Sequence, residues 1–325
     1  MTILGMTPYQ MAWYFVIYSF GGWVIEVIFH AVTQGKIINR GFLNGPVCPV
    51  YGFGVLSVFA MGSLAGRTGT VAVENLPVWK LFAGGVVLAT AVELIAGWLL
   101  NRLFHARWWD YSDRPFNYHG YICLEFSLIW GMAIAFVVRE IQPTVRSISD
   151  TLIPERYGWP ILSVLYAVYL ADLIITVLTV LRFNRRLEEL DRMRASMRTV
   201  SDGMSRIIGG GTVKTMESIE RGKVRVEAAG EGLRTAVAGA EESLHAGVQG
   251  ARTRLQDRRT SVTENVMAQY AELQRRQEEL YHALQKEKYF GTGRLLRAFP
   301  EMRHSRFNET LAWIQEKLGR DNESK

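Results

Sequence analysis

The sequence predicts an all-α membrane protein: a polytopic bundle of about five spans, built as two tandem helical hairpins plus one helix, with a long helical cytoplasmic tail. Three observations predict it. Apolar stretches of about 20 residues, enough for a helix to cross a hydrocarbon core, recur five times before Leu181. Charge is divided unevenly: residues 1–181 hold ten Lys/Arg and ten Asp/Glu, so the net charge of +6 belongs to residues 182–325. Eight of the nine tryptophans lie in the first half, several of them (Trp79, Trp108, Trp109, Trp159) near span ends, where membrane-interface anchors belong.

The expected spans are Tyr9 to Val32, Gly45 to Ala65, Val78 to Leu100, Tyr118 to Val138 and Pro160 to Leu181. The first has no basic leader and no small-residue cleavage site, which reads as a retained span and not a signal peptide. After the fifth come Arg182, Arg185, Arg186, Arg192 and Arg194, which by the positive-inside rule hold the tail in the cytoplasm and put the N-terminus outside. The second span opens on "RGFLNGPVCPVYGFG". Pro46 and Pro49 withdraw backbone donors there, while Gly41, Gly45, Gly52 and Gly54 permit close approach, so the entrance either offers free backbone groups to a substrate or is a tight turn.

The two hairpins resemble each other. Glu26 precedes Arg40 by 14 residues and Glu93 precedes Arg107 by 14, and a GxxC follows each: Gly45 to Cys48 and Gly120 to Cys123, the second displaced by eight residues that include "WDYSD". This pattern reads as a parallel repeat related by an axis along the membrane normal. Four carboxylates fall within the expected spans, Glu26, Glu93, Glu125 and Asp172, and the span interiors hold no Lys or Arg. Acids in lipid are costly and mark a pathway or site, unless each is protonated or bonded to a neighbouring Tyr, Trp or Asn and simply ties helices together. Asn44, Asp110 and Asn117 add polar groups at the two loop entrances. His30 shares a helical face with Glu26 and could join Cys48 or Cys123 on a metal, but the cysteines are single, so no metal site and no cofactor is expected.

"GFLNGPVCPVYGFG" together with "WWDYSDRPFNYHGYICLEFSLIWG" resembles the CmpB-like type IV ABC-transporter permease family of bacteria, itself similar to a group of small multispanning eukaryotic membrane proteins. The resemblance covers Tyr9 to Leu181. It implies an integral membrane permease in which Trp108, Trp109, Asp110, Tyr111, Pro115, Phe116 and Asn117 form a cytoplasmic entrance to span four. The chain has no G-x-x-x-x-G-K-[ST] loop, so an ATPase would be a separate subunit. Ser127 and Ser163 lack a His/Asp arrangement, and an enzyme is not expected.

The tail divides into a basic juxtamembrane helix with a glycine hinge at Gly209–Gly211 (182–211), a repeat region (212–290) and a short helical segment (291–325). From Lys223 it can be written in elevens whose fourth, seventh and eleventh positions are apolar, as in Val237, Ala240, Leu244 and Val248, Ala251, Leu255. Eleven residues in three turns keep such a stripe nearly straight. It is rich in Ala and interrupted by Gly230, Gly232, Gly239, Gly247 and Gly250, so it needs a surface to lie on. That surface is a second copy, making a homo-oligomer, or membrane lipid, unless the tail is partly disordered. Acidic residues interspersed with the basic ones exclude a nucleic-acid module. The sequence leaves two functions open: a permease for a small solute or ion, and a non-transporting scaffold whose tail binds a partner.

Overall fold

The computed structural model describes residues 6–65, 73–226, 234–286 and 291–323. They are helical apart from loops and four strands of two residues each. The chain forms two compact units, Met1–Leu187 with Ala283–Lys325, and Glu188–His282.

In the first unit, α1 (Pro8–Gln34) starts on a capping box in which Thr7 and Gln10 exchange side-chain and backbone bonds, with Pro8 at the first helical position. It stops at Gly35 in the left-handed region. Residues 36–48 are irregular, and α2 (Pro49–Ala65) begins where the prolines allow it. Helix α3 (Val78–Phe104) ends on His105 at φ 55°, an unusual cap for a side-chain-bearing residue.

In the stretch expected as the fourth span, Tyr118 to Val138, helix begins at Leu124 rather than at Tyr118. Residues 117–123 instead make a small hairpin, β2 (Asn117–Tyr118) against β3 (Ile122–Cys123), and α4 (Leu124–Phe136) follows. The turn needs positive φ at Phe116, His119 and Gly120, which helix cannot supply. Helical structure then continues through a π-turn (Val137–Ile141), α5 (Gln142–Ser147) and a second π-turn (Ile148–Leu152). The Tyr18 hydroxyl bonds Gln142 Oε1 at 2.5 Å beside the first π-turn, and Gln10 Nε2 donates to Asp150 inside the second.

Among the described residues three helices are long and apolar enough to cross a membrane, Pro8–Thr33, Val78–Phe104 and Glu155–Gly203, and Pro49–Gly62 is a shorter apolar one. Close packing uses small residues, as membrane helices do: a side chain on Gly85 would meet Gly131 across α3 and α4, and one on Gly52 would meet Ser19 and Phe15 across α1 and α2. Tyr14, Tyr18, Val58, Phe59, Leu81 and Val138 fill the core between these helices.

Phe42 packs edge-on against Trp108 at 5.2 Å, so the 35–48 loop and the loop from β1 (Ala106–Arg107) to β3 meet at one end of the bundle. The terminal segment folds onto that end. Helix α8 (Thr292–Ala298), β4 (Arg303–His304) and α9 (Asn308–Glu323) join the first unit, β4 pairing antiparallel with β1. Read alone, 291–325 is a separate segment, but its apolar stripe, Leu295, Leu296, Leu311 and Ile314, is fully buried.

Helix α6 (Glu155–Val226) continues through Gly209–Gly211, where the sequence suggests a hinge. Glycine costs a helix only about 1 kcal/mol per residue. In the second unit α7 (Arg234–Gln285) faces α6: Arg194, Met197 and Ser201 share a cleft with Tyr270 and Gln277. Part of the apolar stripe therefore lies on the chain's own helix. Val266, Tyr270 and Leu273 are partly covered, whereas Val262 of the same stripe is exposed. The repeat positions Ala229 and Leu233, with Gly230 and Gly232, lie outside the described residues.

Candidate functional site

Two of the four carboxylates belong to one network. Glu26, on the last turns of α1, accepts the Tyr51 hydroxyl at 2.7 Å from α2 and has Arg40 Nε at 3.9 Å from the loop. Tyr51 reaches it because Gly22 leaves room: a Cβ there would fall 2.2 Å from the Tyr51 ring. The Tyr51 ring stands edge-on to Trp130 of α4 at 5.4 Å. Trp130 Nε1 donates to Glu93 Oε2 at 3.1 Å, and the Tyr111 hydroxyl donates to Glu93 Oε1 at 3.1 Å. A carboxylate, phenol, indole and second carboxylate thus follow one another across both hairpins. Glu93 is 7 % exposed, and its side-chain partners in the structure are these two neutral donors. Burial first, then the charge of Glu93, pushes the Tyr111 phenol up from its ordinary range, so it remains a donor.

The other two acids stand elsewhere. Asp172, on α6, binds the entrance of α2: Oδ1 accepts Asn44 N at 3.2 Å and Asn44 Nδ2 at 3.0 Å, and Oδ2 accepts Gly45 N at 2.7 Å. Thr176 Oγ1, beside it on the helix, takes a further bond from Asn44 Nδ2 at 2.9 Å. The backbone donors that Pro46 leaves without helix partners are capped here by a carboxylate from another helix. Glu125 is half exposed and pairs with Arg114 at 3.2 Å. The absence of span cations therefore does not leave these acids unpaired, because arginines of the loops reach Glu26 and Glu125.

The remaining candidates divide in the same way. Asn117 spans its turn, donating to the carbonyls of Ser112 and Arg114 and accepting Gly120 N. Asp110 bonds Ser112, lies 3.9 Å from Arg107 and takes Arg303 of β4 at 3.0 Å. Cys48 and Cys123 are buried free thiols, one at each loop entrance. His30 is buried without a hydrogen-bond partner on either ring nitrogen. Among the described residues no cluster of three His, Cys, Asp or Glu could hold a metal.

Residues 13–177, just over half of the chain, match the family described as "Putative ABC-transporter type IV". The chain belongs to this family. No curated protein and no solved structure matches it. The matched stretch of this ABC-transporter family member holds both hairpins and all four carboxylates, whereas the tail and the terminal segment lie beyond it.

Of the residues that complete the network, Tyr111 is read from the sequence only as part of the loop entrance that the resemblance implies, and Tyr51 and Trp130 are absent from the candidates read from sequence. A signal for them exists: a buried carboxylate without a cation needs neutral donors, and Tyr and Trp supply them from facing helices. Nothing in the sequence around Arg294 marks it, although it is the most buried arginine of the structure's loop end. Its guanidinium donates to the carbonyls of Asn39 at 3.2 Å, Gly41 at 2.7 Å and Phe42 at 2.9 Å. Burial lowers its pKa to about 10, which still leaves it charged at neutral pH.

Proposed function

We propose that this chain is the membrane-spanning, permease-type component of a transporter for a small solute or ion, cationic by the charge of its site, with Glu26 and Glu93 on the pathway. The single observation that carries the reading is the Glu93 carboxylate, held inside the bundle by neutral donors alone and linked through Trp130 and Tyr51 to a second carboxylate. Intramembrane acids in such a setting belong to ion and substrate pathways. Membership of an ABC-transporter family supports the class and, since the chain has no phosphate-binding loop, a separate ATPase subunit.

In this reading five helical runs cross the bilayer, α2 and the α4–α5 run joining the three longer helices. The arginines after the fifth keep the tail and the two polar loops in the cytoplasm. Asp172 and Glu125 drop out of the pathway: the first is consumed in capping a loop and the second in an exposed ion pair.

The test is a thermal-shift screen of the purified full chain in detergent against sodium, potassium, magnesium, manganese, zinc and spermidine. A ligand at about 100 times its Kd stabilises by about 2.7 kcal/mol, a readily measured rise in Tm. The expected outcome is a rise with at least one of these cations that E26Q and E93Q lose and E125Q keeps. No rise with any of them, or a rise that survives the E26Q/E93Q double variant, overturns the proposal and favours the scaffold reading.

A further inference from the structure

The terminal segment touches both loops at residues next to those that hold the two glutamates. On the first loop, Arg294 of α8 is 2 % exposed and fills a cradle of three carbonyls, those of Asn39, Gly41 and Phe42. Asn39 and Gly41 flank Arg40, which faces Glu26. On the second loop, Arg303 of β4 pairs with Asp110 at 3.0 Å, and β4 lies antiparallel against β1. Asp110 adjoins Tyr111, which donates to Glu93. Between these two contacts Phe299 packs on Trp108 at 5.0 Å.

We infer that residues 291–323 form a clamp that positions both intramembrane glutamates, with Arg294 and Arg303 as positioning residues for Glu26 and Glu93 in turn. The link to the glutamates rests on the pathway reading above; the clamp itself does not. Carbonyl oxygens offer only acceptors, so a cation with several donors suits the first loop, and the planar guanidinium reaches three carbonyls where an ammonium would not. Both contacts are electrostatic, and both take their loop-side partners, the carbonyls of residues 39–42 and Asp110, from irregular backbone, the part of a fold that opens at least cost. Anything that withdraws the segment, such as a partner subunit binding it, would release both loops together.

The chain supplies its own reporters. It has two cysteines, both buried, Cys48 where the first loop enters α2 and Cys123 where the second enters α4. The experiment follows maleimide labelling of the full-length protein in detergent, each site quantified by peptide mass spectrometry. R294A is expected to speed labelling of Cys48 about tenfold with little change at Cys123, and R303A the reverse, as local opening would give. A chain ending at residue 290 should speed both. R294K should remain fast, since an ammonium does not span the cradle.

Unchanged rates in R294A and in the truncated chain would overturn the clamp. So would an equal rise at both cysteines in each single variant, which reports general loosening. Labelling is read without any transported solute. A clamp seen by labelling beside a cation screen that finds nothing would therefore sink the pathway and leave the clamp standing.

Discussion

The two hairpins share a spacing and differ in what answers the charge. In the first, Glu26 faces Arg40 fourteen residues on, with Tyr51 completing the pair. In the second the matching Arg107 has turned away to Asp110, the carbonyl of His119 and the face of Tyr121, and Glu93 is held by Tyr111 and Trp130. Tyr111 comes from the eight residues that the second loop has and the first lacks. All three non-glycine residues with positive φ among the described residues, His105, Phe116 and His119, lie in that same loop. A repeated frame has thus been altered at one place, so that one glutamate meets a cation and the other only dipoles. Phe116 and His119 take positive φ for the hairpin turn and His105 for the cap of α3, so the added residues are also where the backbone departs from helix.

The comparison breaks first at Asp172, which holds the first loop and has no counterpart in the second. D172A strands two part-buried backbone amides, of Asn44 and Gly45, and leaves the Asn44 side chain only its bond to Thr176; each unsatisfied donor costs about 1–3 kcal/mol. The expected result is the largest loss of any substitution here, on the order of 4 kcal/mol, seen as a collapse of folded yield and Tm in detergent. An ordinary Tm would mean that Arg294 and the Phe42–Trp108 contact hold the loop without Asp172.

The glutamates themselves come next. In E93Q the amide can accept from only one of the two donors, and its NH2 group then opposes either Trp130 or Tyr111. Indole N–H cannot reverse its role, so the amide oxygen must stay on Trp130 and the Tyr111 hydroxyl must turn to accept, which leaves its own proton buried without an acceptor at a cost of about 2 kcal/mol. In E26Q the amide oxygen can keep the Tyr51 hydroxyl while its NH2 group takes the partly exposed side, and the loss should stay below about 1 kcal/mol. Urea or thermal unfolding of the pair measures the difference, and equal losses would remove the distinction between a cation-answered and a dipole-answered acid. Y111F should cost about 1 kcal/mol and Y51F no more, read in the same assay.

How much of this was legible follows from which forces are local. Helix α1 could be read from Pro8 and the apolar run, and the broken entrance of α2 from Pro46 and Pro49, because those residues act within a turn of themselves. Glu26 and Glu93 could be found because a charge in an apolar run stands out. The start of α4 was misplaced by six residues, since Tyr118 and Ile122 look as apolar in a hairpin as in a helix. Tyr51, Trp130, Arg294 and Arg303 act across the fold, to partners 25 to 255 residues away, and pattern along the chain does not reach that far. Asp172 was visible as an unusual acid, but that it caps Asn44 and Gly45 depends on where α6 packs.

A weaker effect should appear with pH on the clamp side of the second hairpin. His304 of β4 is buried, and its Nδ1 accepts Arg306 N at 3.2 Å and Phe307 N at 3.1 Å, so the fold requires it neutral. Burial, aided by His105 and Arg306, lowers its pKa to about 4. The sign follows: the unfolded segment takes up a proton below about 6.5 while the folded one resists it, so stability is full above pH 6.5 and falls toward pH 4. Hydrogen exchange of residues 291–323 should therefore quicken between pH 6.5 and 4.5 after correction for the intrinsic rate, and H304F should flatten that dependence.

The smallest effect should come from Glu125, and its smallness is informative. It sits at the entrance of α4 within the family-matched region, as conspicuous in sequence as Glu93. Yet its side chain is 50 % exposed and its partner Arg114 53 % exposed, and such surface pairs contribute about 0–1 kcal/mol. E125Q and R114A should each shift Tm by less than the error of E26Q, and the double variant should add nothing beyond their sum. A loss of cation binding in E125Q, with stability intact, would instead place the path through the half-exposed acid and take Glu93 out of it, because a dry carboxylate held by two neutral donors would then be only the tie between α3 and α4.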